Sequence, residues 1–185
     1  MYHIKNDKRA QASSELICAG LLACMKEKPF ARITITDVQR ASTVSRSTFY
    51  RNFDCLEDVL ALLCDRGFQA VFTEYNALPP AQRGSLAKAV FQYWFRNSAV
   101  LEALVQIHRT DILFDSLRRS SGLIEALQPM ADDPARFDYF VAIITSSMIG
   151  VLTVWVEHGK TETENQMVQK LTSAFIEMAI LELPG

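Results

Sequence analysis

Glycine and proline are scarce in this chain, seven and six among 185 residues. A sandwich, a barrel or a loop-rich fold draws on many more turn-forming residues, so the scarcity points to helices. Nowhere does a sustained two-residue alternation of apolar and polar side chains support a strand. The familiar catalytic signatures are missing too: there is no glycine-rich phosphate loop, no HExxH or CxxC pair and no GxSxG elbow. The three histidines, His3, His108 and His158, stand far apart. No enzyme, metal site or cofactor is expected. The four cysteines (Cys18, Cys24, Cys55, Cys64) lack the spacing of a disulfide framework or a metal site. Each lies in an apolar stretch, where cysteine behaves as a small hydrophobe. The opening MYHIKNDKRAQ has no apolar signal-peptide core. These traits lead us to expect a cytoplasmic protein.

Long apolar runs are almost absent. One uncharged stretch, YFVAIITSSMIGVLTVWV at 139–156, reaches the lower limit of membrane-spanning length. Thr145, Ser146, Ser147 and Thr153 interrupt it and no Lys/Arg cluster flanks it, so a helix buried within the protein is the expected reading.

Charge is present but unevenly distributed. Residues 1–53 carry nine basic against four acidic side chains, a net of +5, and the remainder carries ten against seventeen, a net of −7. That asymmetry points to an anionic partner for the N-terminal part, although a solvated basic face gives the same count.

The helical pattern is legible along most of the chain. A first helix is expected over 8–28, with Leu16, Ala19, Ala23 and Ile17, Leu21, Cys24 on one apolar face and Pro29 as the stop. In TITDVQRASTVSRSTFYRNF two short helices flank a tight turn. Thr34 caps the first, with Asp37 in its first turn and Ile35, Val38 and Ala41 inward. Ser42 and Thr43 make the turn, and Ser45 caps a second helix that sends Phe49 and Phe53 inward. After Asp54, another cap, a long helix runs to about Leu78 and ends at Pro79-Pro80. Further helices are expected near 82–96, 98–108, 111–129, 134–158 and 164–182. Asp133-Pro134 opens the penultimate one, Gly159 closes it, Thr161 or Thr163 caps the last, and Pro184-Gly185 ends the chain.

A helix-turn-helix presents its second helix to the major groove, which demands an apolar underside and small polar, aromatic and basic groups outside. The segment SRSTFYR at 45–51 has that form. Arg46 and Arg51 suit guanine edges or phosphates, and the hydroxyls of Ser45, Thr48 and Tyr50 suit phosphates. An αα-corner in a plain bundle, with Tyr50 covering a core edge, is the competing reading.

At this point the sequence resembles a known family. TITDVQRASTVSRSTFYRNF with the following EDVL, and the preceding LICAGLLACMKEKPFARI, look like the signature region of TetR/AcrR-type transcriptional regulators. GVLTVWVEHGKTETENQMVQKL is similar to their last two helices. The resemblance implies an all-α protein of about nine helices. A helix-turn-helix DNA-binding domain would occupy 1–53, and a helical effector-binding and dimerisation domain 54–185. Carried over by position, Thr34, Ser45, Arg46, Ser47, Thr48, Tyr50 and Arg51 occupy places that contact double-stranded DNA. Two departures matter: Thr43 stands where the family usually has glycine, and Leu56 where it often has a phosphate-contacting lysine.

The resemblance also implies an effector pocket and a homodimer interface. For the pocket, Tyr93, Trp94, His108, Arg109, Phe114 and Trp155 are the candidates, each more often a core or surface residue than a contact. For the interface, Phe140, Ile144, Ser147, Val151 and Val154 form one stripe of the 134–158 helix, joined by Gly150. The opposite stripe of Phe137, Val141, Met148, Leu152 and Trp155 would face the core. Gly150 costs about 1 kcal/mol relative to alanine inside a helix, which hints at close backbone approach. A larger monomer core would explain the same apolar surface. The function expected is a repressor released from a pseudo-palindromic operator by a small molecule. The alternative is a helical DNA-binding interaction protein controlled by a protein partner, or acting without any ligand.

Overall fold

A computed structural model of the chain describes residues 2–124, 127 and 133–181. Among them are nine α-helices and no strand. Helices α1 (Lys8–Glu27), α2 (Ile35–Ser42) and α3 (Arg46–Asn52) pack on one another at the N-terminal end. The long α4 (Leu56–Ala77) touches α1 at one end and α5, α6 and α7 along the rest. Helices α5 (Leu86–Arg96), α6 (Ser98–Gln106), α7 (Asp111–Ser120), α8 (Pro134–Glu157) and α9 (Glu164–Leu181) complete the bundle.

α1 begins at Asp7, whose carboxylate accepts the Ala10 N–H at 2.8 Å. Its buried face is narrower than the sequence suggests. Ile17, Cys18, Leu21 and Cys24 are inside, whereas Leu16, Ala19 and Ala23 are exposed. The reason is the close approach of α2. A Cβ placed on Gly20 would lie 2.8 Å from Ser42 Cβ and 3.0 Å from Ser42 N, so the two helices meet almost backbone to backbone. The same contact buries Ser42 and leaves Ala41, expected inside, facing out.

The caps of the helix-turn-helix follow the sequence closely. Thr34 Oγ1 accepts the Asp37 N–H at 3.2 Å while Asp37 accepts the Thr34 N–H at 2.8 Å, a reciprocal capping box. Lys28 Nζ, from the end of α1, sits 2.6 Å from the same carboxylate. The Lys28 contact first, then the Thr34 hydroxyl and N–H, holds the Asp37 carboxyl well below the usual carboxylate range. Thr43 ends α2 in the left-handed region, φ 57° and ψ 19°. Ser45 Oγ then accepts the Thr48 N–H at 3.2 Å and opens α3.

Three other boundaries differ from expectation. Cys55, not Asp54, occupies the N-cap of α4, and Asp58 one turn on reaches back to the Asp54 N–H at 2.9 Å. α5 starts at Leu86 rather than near 82, because a 3-10 turn at Pro80–Gln82 follows the proline pair. α7 stops at Ser120 and passes into a 3-10 turn. Residues 125, 126, 128 and 129 of the expected 111–129 helix lie outside the described residues, as do Pro184 and Gly185. The ends of α8 behave as read. Asp133 accepts the Arg136 N–H at 3.1 Å ahead of Pro134, and Gly159 turns at φ 75°. Thr163, not Thr161, caps α9 through a reciprocal pair with Gln166.

The core is continuous. Phe49 of α3 and Phe53 just after it, Val59 and Leu60 of α4, Phe68 and Phe72 further along, and Trp94, Leu104 and Leu113 beyond them are all sealed from solvent. α8 is long and apolar enough to cross a membrane by length and composition. In the bundle its Val141, Thr145, Met148, Leu152 and Trp155 stripe is buried, in contact with α6, α7 and α9. Cys18, Cys24 and Cys64 are buried free thiols, and burial pushes each above the ordinary thiol value.

Two tests follow from this geometry. A β-branched residue held in the left-handed region costs about 1–3 kcal/mol, and glycine there recovers part of that. Thr43→Gly should therefore raise unfolding stability by about 1 kcal/mol, or a melting temperature about 2–4 °C higher. An unchanged or lower melting temperature would show that the Thr43 hydroxyl, donated to the Ser42 carbonyl at 2.7 Å, offsets the strain. The second test concerns acid. Because the folded state lowers the Asp37 pKa below 3.8, its contribution is complete above that pH and is lost as pH falls through the folded value. Asp37→Asn should weaken the protein at pH 7 and flatten the fall in melting temperature below about pH 4. Parallel curves for the two proteins would refute the role given to this carboxylate.

Candidate nucleic-acid interface

The candidate surface is built outward from Phe49. That ring is sealed beneath α3, edge-on to Tyr50 at 5.6 Å and tilted against Phe53 at 5.8 Å between ring centres. With Phe49 anchored, Ser45, Arg46, Ser47, Tyr50 and Arg51 are exposed together and Thr48 is half-buried. The Arg46 guanidinium lies 5.4 Å from the centre of the Tyr50 ring, which aligns both on the outer face. Ser45 Oγ lies 3.1 Å from Ser47 Oγ and 2.9 Å from Thr48 Oγ1, so three hydroxyls cluster at the start of the helix. Thr34 stands apart at the start of α2, its hydroxyl donated to Asp37 at 2.7 Å. Leu56, where the family often has lysine, is buried in the core and offers no group to a phosphate.

The structure brings residues from outside the 45–51 segment to the same surface. Lys5, Arg9 and Ser13 line a recess of about 260 Å³ with Thr48 and Arg51. The N-terminal arm that carries Lys5 is tied to α3, because the His3 N–H donates to the Asn52 carbonyl at 3.0 Å. Tyr2 in turn donates its hydroxyl to Asp65 of α4 at 2.6 Å. Burial, and then the Asp65 carboxylate, push the Tyr2 phenol up to about 12. Asp65 also accepts Arg119 of α7 at 2.8 Å. One carboxylate thus joins the arm beneath the reading helix to the far half of the bundle. A second junction is Arg66, which donates to Ser14 of α1 at 3.1 Å.

The six pocket candidates do not converge. Trp94 is core, 5.3 Å from Phe68 between ring centres. Tyr93 covers Gly67, where a Cβ would lie 2.7 Å from its ring. His108 ends α6 in the left-handed region and is exposed. Arg109 is engaged by Asp111 at 2.9 Å on the surface, and Phe114 is half-buried on α7. Trp155 stacks on Phe95 at 4.0 Å and donates its indole N–H to the Glu162 carbonyl. None of them lines the internal cavity of about 210 Å³ among α4, α5, α7, α8 and α9, whose walls include Phe72, Val90, Leu117, Val141, Thr145 and Leu171. These residues recur at helical spacing as ordinary core does, so sequence gave no signal for them. Among the described residues no group of three or more His, Cys, Asp or Glu gathers as a metal site.

The stripe proposed on α8 divides. Phe140 and Ile144 turn to the internal cavity, and Tyr139 and Ile143 take the outer face, 75 % and 54 % exposed. Ser147, Gly150, Val151 and Val154 line an outer groove with Phe175 and Met178 of α9. Gly150 is exposed, and a Cβ there would meet nothing within 4 Å in this chain. Close backbone approach at Gly150 is therefore not made within the protomer.

Comparisons with known proteins agree with this arrangement. Among curated proteins none matches the sequence. Lin0861 from Listeria innocua shares the fold with a TM-score of 0.74 at 16% identity, over 95% of this chain and 96% of that one. A structure described as a TetR-family transcriptional regulator from Syntrophomonas wolfei follows at 0.64 and 18% identity, over 94% and 97%. A TetR transcriptional regulator from Streptococcus agalactiae gives 0.59 at 18% identity, over 91% and 96%. At such identities these likenesses establish the fold. The TetR family model described as the transcriptional regulator C-terminal region matches residues 85–177, half of the sequence. With a helix-turn-helix at its head and that C-terminal region behind it, this chain belongs to the TetR family of transcriptional regulators.

Proposed function

We propose that this regulator is a cytoplasmic homodimeric repressor. It reads a pseudo-palindromic operator through the outer face of α3 and is released when a small molecule occupies the C-terminal region. Residues 1–53 are the reading unit and 54–185 the effector-binding and dimerisation unit. The observation that carries the DNA assignment is the joint exposure of Ser45, Arg46, Ser47, Tyr50 and Arg51 above a fully buried Phe49. Arg46, held over the Tyr50 ring, takes the base edges. Arg51, Lys5 and Arg9, around one recess, take phosphates, which fix register without reading sequence. Thr34, Ser47 and Thr48 add hydroxyls at the two helix starts.

Release requires that the ligand bind the two conformations differently. α4 supports such coupling, since Phe72 borders the internal cavity while Asp65 and Arg66, two turns earlier, hold the N-terminal arm and α1. The outer surface of α8 and α9 is assigned to the second subunit. Exposed Tyr139, Ile143, Val154, Ile176 and Met178 form an apolar surface that a two-fold partner would cover.

DNA selected from a random pool should yield an inverted repeat. On that sequence Arg46→Ala and Tyr50→Ala should each weaken binding at least about tenfold with helicity and mass unchanged, about 1–3 kcal/mol per lost base contact. With three or four basic groups per subunit, log affinity should fall against log salt with a slope of about −5 to −7. Lys5→Ala or Arg9→Ala should make the slope shallower by about 2 in a dimer without changing sequence preference. A slope near zero, or full affinity in both α3 variants, would refute the interface. For the dimer, Val154→Glu places a charge on a side chain already 46% exposed, so the protomer should still fold. Sedimentation should show a dimer for the wild type and a monomer for the variant at micromolar concentration. A wild-type monomer would refute the interface on α8 and α9.

A further inference from the structure

Resting on the effector reading above, we propose that the internal cavity selects an uncharged, mostly hydrocarbon molecule of about two fused rings bearing a single hydroxyl or carbonyl. Thr145 is its polar anchor. Size comes first. The cavity measures about 210 Å³, larger than the roughly 150 Å³ that holds a benzene ring and smaller than the roughly 300 Å³ at which drug-sized pockets begin. A bicyclic molecule of about ten to twelve heavy atoms lies between those limits.

Chemistry comes next. Among the described residues no charged side chain lines the cavity. The walls formed by the described residues are apolar apart from Thr145 and Ser121. A carboxylate or ammonium placed there would lose its hydration and find no counter-charge on those walls, which selects against ions. The two hydroxyls are not equivalent. Ser121 already donates to the Arg118 carbonyl at 2.7 Å. Thr145 is only 2% exposed and lines the cavity. Elsewhere on α8, Ser147 and Thr153 donate back to the carbonyls of Ile143 and Ile149, both at 2.8 Å. A hydroxyl on an otherwise apolar wall offers a ligand one directional contact. A ligand that supplies one acceptor or donor there gains that hydrogen bond, and its rings pack against Phe72, Val90 and Phe140. The single polar contact sets orientation and the rest is shape.

The test uses three probes of one size on the full chain: naphthalene, 1-naphthol and 1-naphthoate, each titrated by calorimetry and by the fluorescence of Trp94 and Trp155. 1-Naphthol should bind about five- to tenfold tighter than naphthalene, the margin of one hydrogen bond. 1-Naphthoate should bind at least about a hundredfold more weakly than 1-naphthol. Thr145→Val should abolish the preference for 1-naphthol and leave naphthalene unchanged. Ala87→Phe, which fills the cavity from α5, should remove binding of both neutral probes while the melting temperature stays within a few degrees of wild type. Should Ala87→Phe fail to fold, Thr145→Val alone still decides the anchor. Binding of 1-naphthoate as tight as that of 1-naphthol, no binding of either neutral probe, or a preference that survives Thr145→Val would each overturn the proposal. Operator release is read separately by fluorescence anisotropy. Binding in the expected order with unchanged operator affinity would refute the ligand-released repressor and leave this assignment standing. Release driven by 1-naphthoate would do the reverse.

Discussion

A helix of seven residues does not persist in water by itself, and the reading surface depends on overcoming that limit. α3 exists because Phe49 and Phe53 are buried without remainder beneath it, and because its first turn is closed by the Ser45 hydroxyl. Those two rings are in turn held against α1, whose own position is fixed by the contact between Gly20 and Ser42. A methyl group on Gly20 would push α2 away, and with it the Thr43 turn and everything α3 presents. The outward groups add little to this scaffold. Arg46, Tyr50 and Arg51 inherit their positions from the bare backbone at Gly20 and the buried rings of Phe49 and Phe53.

The two halves of the molecule are joined through α4. α4 belongs to both, with Leu56, Val59 and Leu60 in the same buried cluster as Phe49 and Phe72 beside the internal cavity. The Asp65 carboxylate adds a polar joint on one flank, shared by Tyr2 from the N-terminal arm and Arg119 from α7. On the other side the turn at Phe30–Arg32 rests on α6. Two hydrogen bonds to one carboxylate thus link α7 to the N-terminal arm, beside the direct packing of α7 on α4.

Much of this was legible in the residues. The caps at Thr34, Ser45 and Asp133 are local chemistry, in which a side chain meets a backbone N–H three residues away, and sequence spacing carries that; it left Thr161 and Thr163 open, and it placed at Asp54 a cap that Cys55 takes. The strain at Thr43, left-handed in the structure, was legible only through the family resemblance, as a residue standing where glycine is usual. What sequence did not carry depends on neighbours distant along the chain. Ser42 displaced Ala41 from the interior because of Gly20, twenty-two residues earlier. Phe140 and Tyr139 are adjacent and both bulky, and only the packing of α8 on the bundle decides which one faces in. The cavity is the extreme case. Val90, Leu117 and Thr145 lie on three helices, and a space between helices leaves no periodic trace in any of them. The polar candidates His108 and Arg109 drew attention for their chemistry, yet they occupy a surface junction where His108 closes α6 and Arg109 is engaged by Asp111.

The division of charge has a consequence for how the molecule meets a polyanion. The N-terminal residues carry the positive excess and the remainder the negative one, and the fold places the N-terminal helices together at one end of α4. Each protomer is therefore an electric dipole as well as a folded chain. In the field of a duplex such a body experiences a torque before it makes any contact. The basic end is drawn inward and the acidic end turned away, so a larger share of diffusional encounters begins in the productive orientation. An overall acidic protein, with an isoelectric point near 5.9, can in this way approach DNA head first.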